Sequence, residues 1–366
     1  ASLTIFYIHL FLQSHYLTLI IFFPMTAPIF TFDFSYLEIK PNVKGSIKSI
    51  PEHFVVEEHL PFEPCGEGEH EYLFIEKRGM NTEEVAKLIA RHGDLNKRDV
   101  SSAGLKDKWA VTRQWFSATV INKEVNWQEL NGDKLKVLKV VRHNKKLRKG
   151  VISHNSFKIT VADFSGEPEL LLARIEAVKV SGIPNYYGEQ RFGNGGQNLE
   201  VAQLLFTGQK KVKNRHLRGI YLSAARSYLF NLYLSQRLAH KNWNQRVSGD
   251  VYMLDGSHSI FKDDQWQPGD EQRIVDLEIH PTGPLVGQGT SLAVDESLAL
   301  ESRIAEVWRD GADGLEAAGL KQDRRSLRVV PQNMNCLFEE GNAVITFDLP
   351  SGCFATSVLR ELICYS

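Results

Sequence analysis

The sequence predicts an α+β protein in which one strand-rich domain is interrupted by another. Three observations carry this. Period-two apolar runs occupy both ends of the chain, a helix- and loop-rich stretch lies between them, and 366 residues suffice for two domains of ordinary size. With 43% hydrophobic and 24% charged residues, the composition is average for soluble globular proteins. It excludes collagen-like, disordered and disulfide-scaffold chains.

Taken in order, the chain begins with an uncharged run, residues 1–24. At about 20 residues a stretch can cross a bilayer. This one has no basic start and no small-x-small cleavage site, and His9, Gln13, Ser14 and His15 interrupt it. Met25 follows directly, so the run is expected to be upstream-translated sequence, and a membrane association is not expected. After Pro51, HFVVEEHL alternates and is β-branched, and HEYLFIEKR repeats the pattern up to Gly79; both read as strands. NTEEVAKLIARHG is a helix. Asn81 or Thr82 can cap it, Glu83 and Glu84 suit its positive start, Val85, Leu88 and Ile89 share a face, and Gly93 stops it. VSSAGLKDKWAVTRQWFSATV reads strand, loop, strand. KLKVLKVVRH and SFKITVADF are strands, and PELLLARIEAVKVSG is a helix closed by Gly182.

The style then changes. Residues 183–200 are rich in Gly, Asn and Tyr, residues 217–240 are helical in pattern, residues 250–290 read as acidic loops, and a helix is expected over 293–311. RSLRVVPQ, NCLFEE and AVITFDLP are strands, and ATSVLRELI is a short helix. Four scattered cysteines with no CxxC pair offer neither a zinc site nor a disulfide framework.

The balance of 43 basic and 44 acidic side chains argues at first against a nucleic-acid partner. The charge is segregated, however. Residues 201–249 contain no Asp or Glu but hold Lys210, Lys211, Lys213, Arg215, Arg218, Arg226, Arg237, Lys241 and Arg246. A second cluster is Arg142, Lys145, Lys146, Arg148 and Lys149, while residues 250–313 are mostly acidic. Two basic runs beside aromatic, glycine-rich segments fit a polyanion surface. The sharpest local signal is GLKDKWAVTRQ, residues 104–114. Asp107 sits between Lys106 and Lys108 at a loop tip, and cations nearby favour its ionised form. Such a carboxylate can serve as nucleophile, base or metal ligand, and the loop has no second acid for a metal.

GLKDKxAxTxQ resembles the active-site motif of the TruD family of tRNA pseudouridine synthases. Six further segments are similar to that family in the same order: Ile47-Lys48 with PEHFVVEE, GEGEHEYLFIEKRGMNT, RHNKKLRKGVISHNSFKI, IPNYYGEQRFG, TGPLVGQG and LPSGCFATSVLREL. His154 departs from the pattern, standing where the family often has Gly. The resemblance implies a mainly antiparallel pseudouridine-synthase sheet with helices, formed by residues 25–181 and 327–366. An α+β insertion, the TRUD domain, would occupy residues 182–326. It implies an isomerase that breaks the C1′–N1 bond of uridine 13 in tRNA and rejoins C1′ to C5, without cofactor or metal, in the cytoplasm; a monomer is favoured, with the oligomeric state left open. A non-catalytic RNA-binding or chaperone protein on the same scaffold is the alternative.

On this resemblance Asp107 is the catalytic residue, acting at the ribose as nucleophile at C1′ or base at C2′. Phe157 would stack on the extruded base, since a base must leave its stack to be reached. Asn155 offers an amide to the uracil edge or to the Asp107 loop. Lys48 would hold Asp107 ionised or contact phosphate. Lys106, Arg113, Tyr187, Gln190 and Arg191 complete the expected substrate contacts.

Overall fold

Alternating burial shapes the first half of the chain into strands, and a computed structural model describes residues 4–9, 18–23 and 28–365. β1 (Thr4–His9) and β2 (Thr18–Phe23) pair antiparallel, with Thr4 opposite Phe23. The remainder of residues 1–27 lies outside the described residues, and the expectation of an upstream extension falls largely on it. Among the described residues no helix is long and apolar enough to cross a membrane.

β3 (Lys44–Ser46), β4 (Phe54–His59) and β5 (His70–Arg78) come next, then helix α1 (Thr82–His92), β6 (Val100–Ser102), β7 (Val111–Thr119), β8 (Leu135–His143), β9 (His154–Ser165) and helix α2 (Pro168–Ser181). In β4 the residues Phe54, Val56 and Glu58 are buried in strict alternation. α1 begins where the Asn81 N–H donates to the Glu84 carboxylate at 2.8 Å, which satisfies one of the helix-start donors.

The middle of the chain holds β10 (Ile183–Pro184), α3 (Gln197–Phe206), α4 (Arg215–Ala239), β11 (Val251–Leu254), β12 (Ile260–Lys262), α5 (Asp270–Val275), β13 (Ile279–Leu285), α6 (Asp295–Val307), α7 (Arg309–Ala317), β14 (Asp323–Ser326) and β15 (Arg328–Val329). The chain finishes with β16 (Gln332–Glu339), β17 (Asn342–Pro350), α8 (Ala355–Leu362) and β18 (Cys364–Tyr365).

The α+β expectation holds. One ten-stranded sheet runs β16-β17-β9-β4-β7-β5-β8, with β3, β6 and β18 attached at its sides. Its pairings are antiparallel except β4 with β7 and β18 with β3. Strands from both ends of the chain therefore share one sheet. α2 and α8 pack on β4, β9 and β17 through Leu171, Ile175, Val358 and Leu362. α1 covers β5 and β7 through Val85 and Ile89. A separate core joins α3, α4, α6 and α7, with Tyr228, Tyr233, Trp308 and Leu315 among its members.

Four features of the middle differ from the sequence expectation. Residues 250–290 are not mainly loop, because β11, β12, β13 and the later β14 form a four-stranded sheet. The two prolines of β13 argue against a strand, yet Ile279–Pro284 are all buried, and burial on both faces erases the alternation that marks a strand. α3 was hidden by its glycine-rich lead-in. The helix expected over 293–311 is two helices, because Trp308 leaves helical geometry and its buried indole donates to Gln203 at 2.6 Å. The acid-free run is also not one basic surface. Arg226 is bonded to the carbonyls of Leu285 and Lys321, Arg246 pairs with Asp263 at 2.9 Å, and Arg237 is buried against Asp250.

The Arg237–Asp250 pair is bidentate, at 2.8 and 2.9 Å, with Arg237 1% and Asp250 0% exposed. Asp250→Asn leaves a buried guanidinium without its counter-charge. It should cost about 3–5 kcal/mol in urea unfolding, and a loss below about 1 kcal/mol would contradict the pairing.

Candidate active site

Loop residues 103–110 connect β6 to β7, and their backbone is braced by neighbours. Gln114 of β7 donates to the Gly104 carbonyl at 3.1 Å and accepts from the Thr82 hydroxyl at 2.9 Å. Thr82, at the start of α1, accepts in turn from the Lys106 N–H at 2.9 Å. Lys77 of β5 is fully buried, and its ammonium donates to the carbonyls of Met80 at 2.7 Å and Asp107 at 2.9 Å. The loop thus has its register set by α1, β5 and β7 together.

The Asp107 carboxylate emerges from this support half-buried. Lys48 donates to Oδ2, and the Trp109 N–H donates to Oδ1 at 3.0 Å. Lys48 reaches it from a left-handed backbone, φ 57°, which a lysine adopts only at a cost of order 1–3 kcal/mol. Its ammonium also lies 4.3 Å from the centre of the Phe54 ring. Burial raises the Asp107 pKa, but the Lys48 hydrogen bond and charge, the Trp109 amide and the Lys77 charge together outweigh it, and the net shift is downward. Asp107 is thereby held as a carboxylate.

Asp107 lines a cleft of about 290 Å³. Phe54, Val56 and Phe157 give it an apolar wall, and Phe354 and Thr356 enter from the start of α8. Phe157 stacks on Phe347 with ring centres 5.3 Å apart and meets Phe54 edge-on at 6.2 Å. Asn155, largely buried, accepts from Lys106 through Oδ1, while its Nδ2 has no hydrogen-bond partner among the described residues. A second cavity of about 510 Å³ adjoins the cleft, and Lys48, Gln190 and Thr356 line both. Tyr187 lines the second cavity under the Arg325 guanidinium, 4.2 Å from its ring centre.

Asp107, Lys48, Lys106, Asn155, Phe157 and Gln190 are thus brought together, with Tyr187 next door. Two expected contacts lie elsewhere. Arg113 lines neither cavity and clasps Glu57 of β4 and Glu76 of β5, each at 2.9 Å. Arg191 donates to the Ser223 hydroxyl at 2.9 Å and lies over Tyr187 and Phe354, so it supports the wall from behind. Lys106 lines the cleft, but its side chain is only 9% exposed. It bridges Asn155 and the buried Glu58, 3.0 Å away. Burial pushes the Glu58 pKa up against the charge of Lys106. Glu58, Lys77 and Phe354 were not singled out from the sequence. For Glu58 a signal existed: it occupies the inward phase of β4, where an apolar residue is the norm.

Comparison with known proteins agrees with this picture. The family model for tRNA pseudouridine synthase D (TruD) matches residues 33–213 and 206–362. The tRNA pseudouridine synthase D of Methylococcus capsulatus is 42% identical over 322 residues, 87% of this chain and 91% of the relative. That of Aeromonas hydrophila is 42% identical over 330 residues, 90% and 93% of the two chains. A crystal structure from Methanosarcina mazei, described as a tRNA pseudouridine synthase D, superposes with a TM-score of 0.66. It shares 22% identity and covers 90% of this chain and 95% of its own, a likeness of fold.

Burial pulls the Lys77 pKa down to about 8, against the opposing charge of Asp107, while Lys106 adds to the fall and Glu84 resists it. An unfolded lysine titrates near 10.4, roughly. Between those values the unfolded chain binds more protons, so the contribution of Lys77 to stability rises with pH across that window and is flat below it. Urea melts should show the wild type gaining stability relative to Lys77→Met between about pH 8 and about pH 10. A constant difference would contradict a desolvated ammonium at this position.

Proposed function

Given that this chain belongs to the TruD family of tRNA pseudouridine synthases, isomerases that convert uridine in tRNA to pseudouridine, we propose that it modifies uridine 13 and that Asp107 is its catalytic residue. The observation that carries the assignment is the carboxylate itself. It is held ionised by Lys48 and a backbone amide in a cleft of base-like size with an aromatic wall. Residues 25–181 and 327–366 make the catalytic unit and residues 182–326 the insertion. The enzyme works as a monomer in the cytoplasm on this reading.

The target uridine leaves its stack and enters the cleft, since its C1′ and C5 are otherwise shielded. Asp107 acts at the ribose, attacking C1′ or removing the proton at C2′. Either route breaks C1′–N1 and frees the uracil to turn. C5 then bonds to C1′, displacing the Asp107 ester on the first route or with return of the proton to C2′ on the second; the C5 proton departs, and N1 gains a proton. Phe157, backed by Phe347, and Phe54 confine the base, and the Asn155 amide protons meet an oxygen on its edge. A uridine carrying deuterium at C2′ separates the two routes, because only proton removal there is slowed.

Exposed Lys145, Lys146, Arg148 and Lys149 and exposed Lys210, Lys211, Lys213 and Arg215 supply the cationic track for the tRNA backbone. Affinity should fall steeply with salt as counterions are released.

Asp107→Asn should abolish pseudouridine, mapped by mass spectrometry in tRNA, while folding and tRNA binding persist; a modified uridine in that variant would overturn the assignment. Lys48→Met removes the strongest influence lowering the Asp107 pKa. The acid limb of the pH–rate profile should therefore move to higher pH, and an unmoved limb would show that Lys48 does not set the charge of Asp107.

A further inference from the structure

The loop that carries Asp107 also presents two large apolar side chains to solvent. Trp109 is 65% exposed and Leu105 72%, each two residues from Asp107. Every other tryptophan has a structural place. Trp115, Trp127, Trp243 and Trp308 are buried, and Trp266 packs on Tyr252 at 4.6 Å and donates to Glu271. Trp109 has no ring neighbour among the described residues and no acceptor there for its indole N–H. The Lys108 ammonium stands 5.8 Å from its ring centre.

Its backbone, by contrast, is fixed. The Trp109 N–H donates to the Asp107 carboxylate at 3.0 Å, and the next residue, Ala110, accepts from the Gly79 N–H at 3.3 Å. The indole therefore rides on the same support as the carboxylate while standing outside the cleft, whose lining does not include it. Single exposed apolar residues are common. Two on one braced loop, flanking an ionised carboxylate, with the face of the larger mostly exposed, form a surface suited to a ring.

We propose that Trp109 is a stacking platform for a nucleobase adjoining the target uridine, taking the place of the target base in the RNA stack once that base has entered the cleft. This rests on the reading of tRNA as substrate. Extruding a base strips a stacking partner from its neighbours, and that loss opposes entry. An indole offers a broad π-face and stacks on any base. Lys108 beside it can meet a backbone phosphate, and Leu105 lines the cleft together with Asp107.

The test compares Trp109→Ala, Trp109→Phe and wild type on tRNA, and on two RNAs carrying 2-aminopurine on one or other side of the target uridine. Trp109→Ala should lower kcat/KM about ten- to a hundredfold, and Trp109→Phe should restore most of it. 2-Aminopurine on one side should stay quenched in the wild-type complex and brighten in the Trp109→Ala complex. Urea melts should be unchanged, because the side chain is exposed. Unchanged kcat/KM together with unchanged fluorescence in Trp109→Ala would overturn the proposal. A wild-type chain that neither binds nor modifies tRNA would instead remove the substrate reading, and the platform with it.

Discussion

A carboxylate half-withdrawn from water keeps its charge only when cations and N–H groups face it, and at Asp107 that demand falls on distant segments of the chain. Lys48 comes from the strained stretch before β4, Lys77 from within β5 and the amide from Trp109. Lys77 is the telling member. It is an ammonium with no contact to water, bonded to two carbonyls rather than to a carboxylate, so part of its charge is left to act on Asp107. The bracing through Thr82 and Gln114 then fixes where that charge balance sits.

The pairing of β4 with β7 explains how two of these segments meet. The strands are parallel, with Val55 opposite Val111 and Glu57 opposite Arg113. The residues that lead into each strand therefore arrive at the same end of the sheet, Lys48 before one and Asp107 before the other. An antiparallel pair would have sent them to opposite ends. β9, antiparallel to β4, brings Asn155 opposite Glu58 and Phe157 opposite Val56, and β17 places Phe347 opposite Phe157. Most of the cleft is thus a consequence of register.

Much of this was legible in the sequence. Strands β4 to β9, with α1, α2 and α4, follow from residue type, periodicity and capping, whereas β1, β2 and β3 were not foreseen. The motif around Asp107 placed it at a loop tip, and the resemblance pointed to Lys48 as its cation, but neither pointed to Lys77 or the Trp109 amide. Glu58 and Lys77 stayed hidden because a charge on a strand is ordinarily a solvent-facing residue; only the phase of the alternation distinguished Glu58. Arg113 was misplaced for the complementary reason. Its position beside the motif said nothing of the two glutamates on neighbouring strands that hold it. The acid-free run concealed Arg237, whose partner Asp250 lies one residue past its end. β13 was missed because a strand buried on both faces has no alternation to read.

The cleft is completed by Phe354 and Thr356, which stand at the start of α8, far along the chain from Asp107. During synthesis, at about 5–20 residues per second, the Asp107 loop and its brace of β5, β7 and α1 exist long before this wall does. A nascent chain holds the charged group but not the enclosure around it, and β17, which puts Phe347 behind Phe157, is also still to come. The cleft is therefore complete only once the two ends of the chain have met in one sheet.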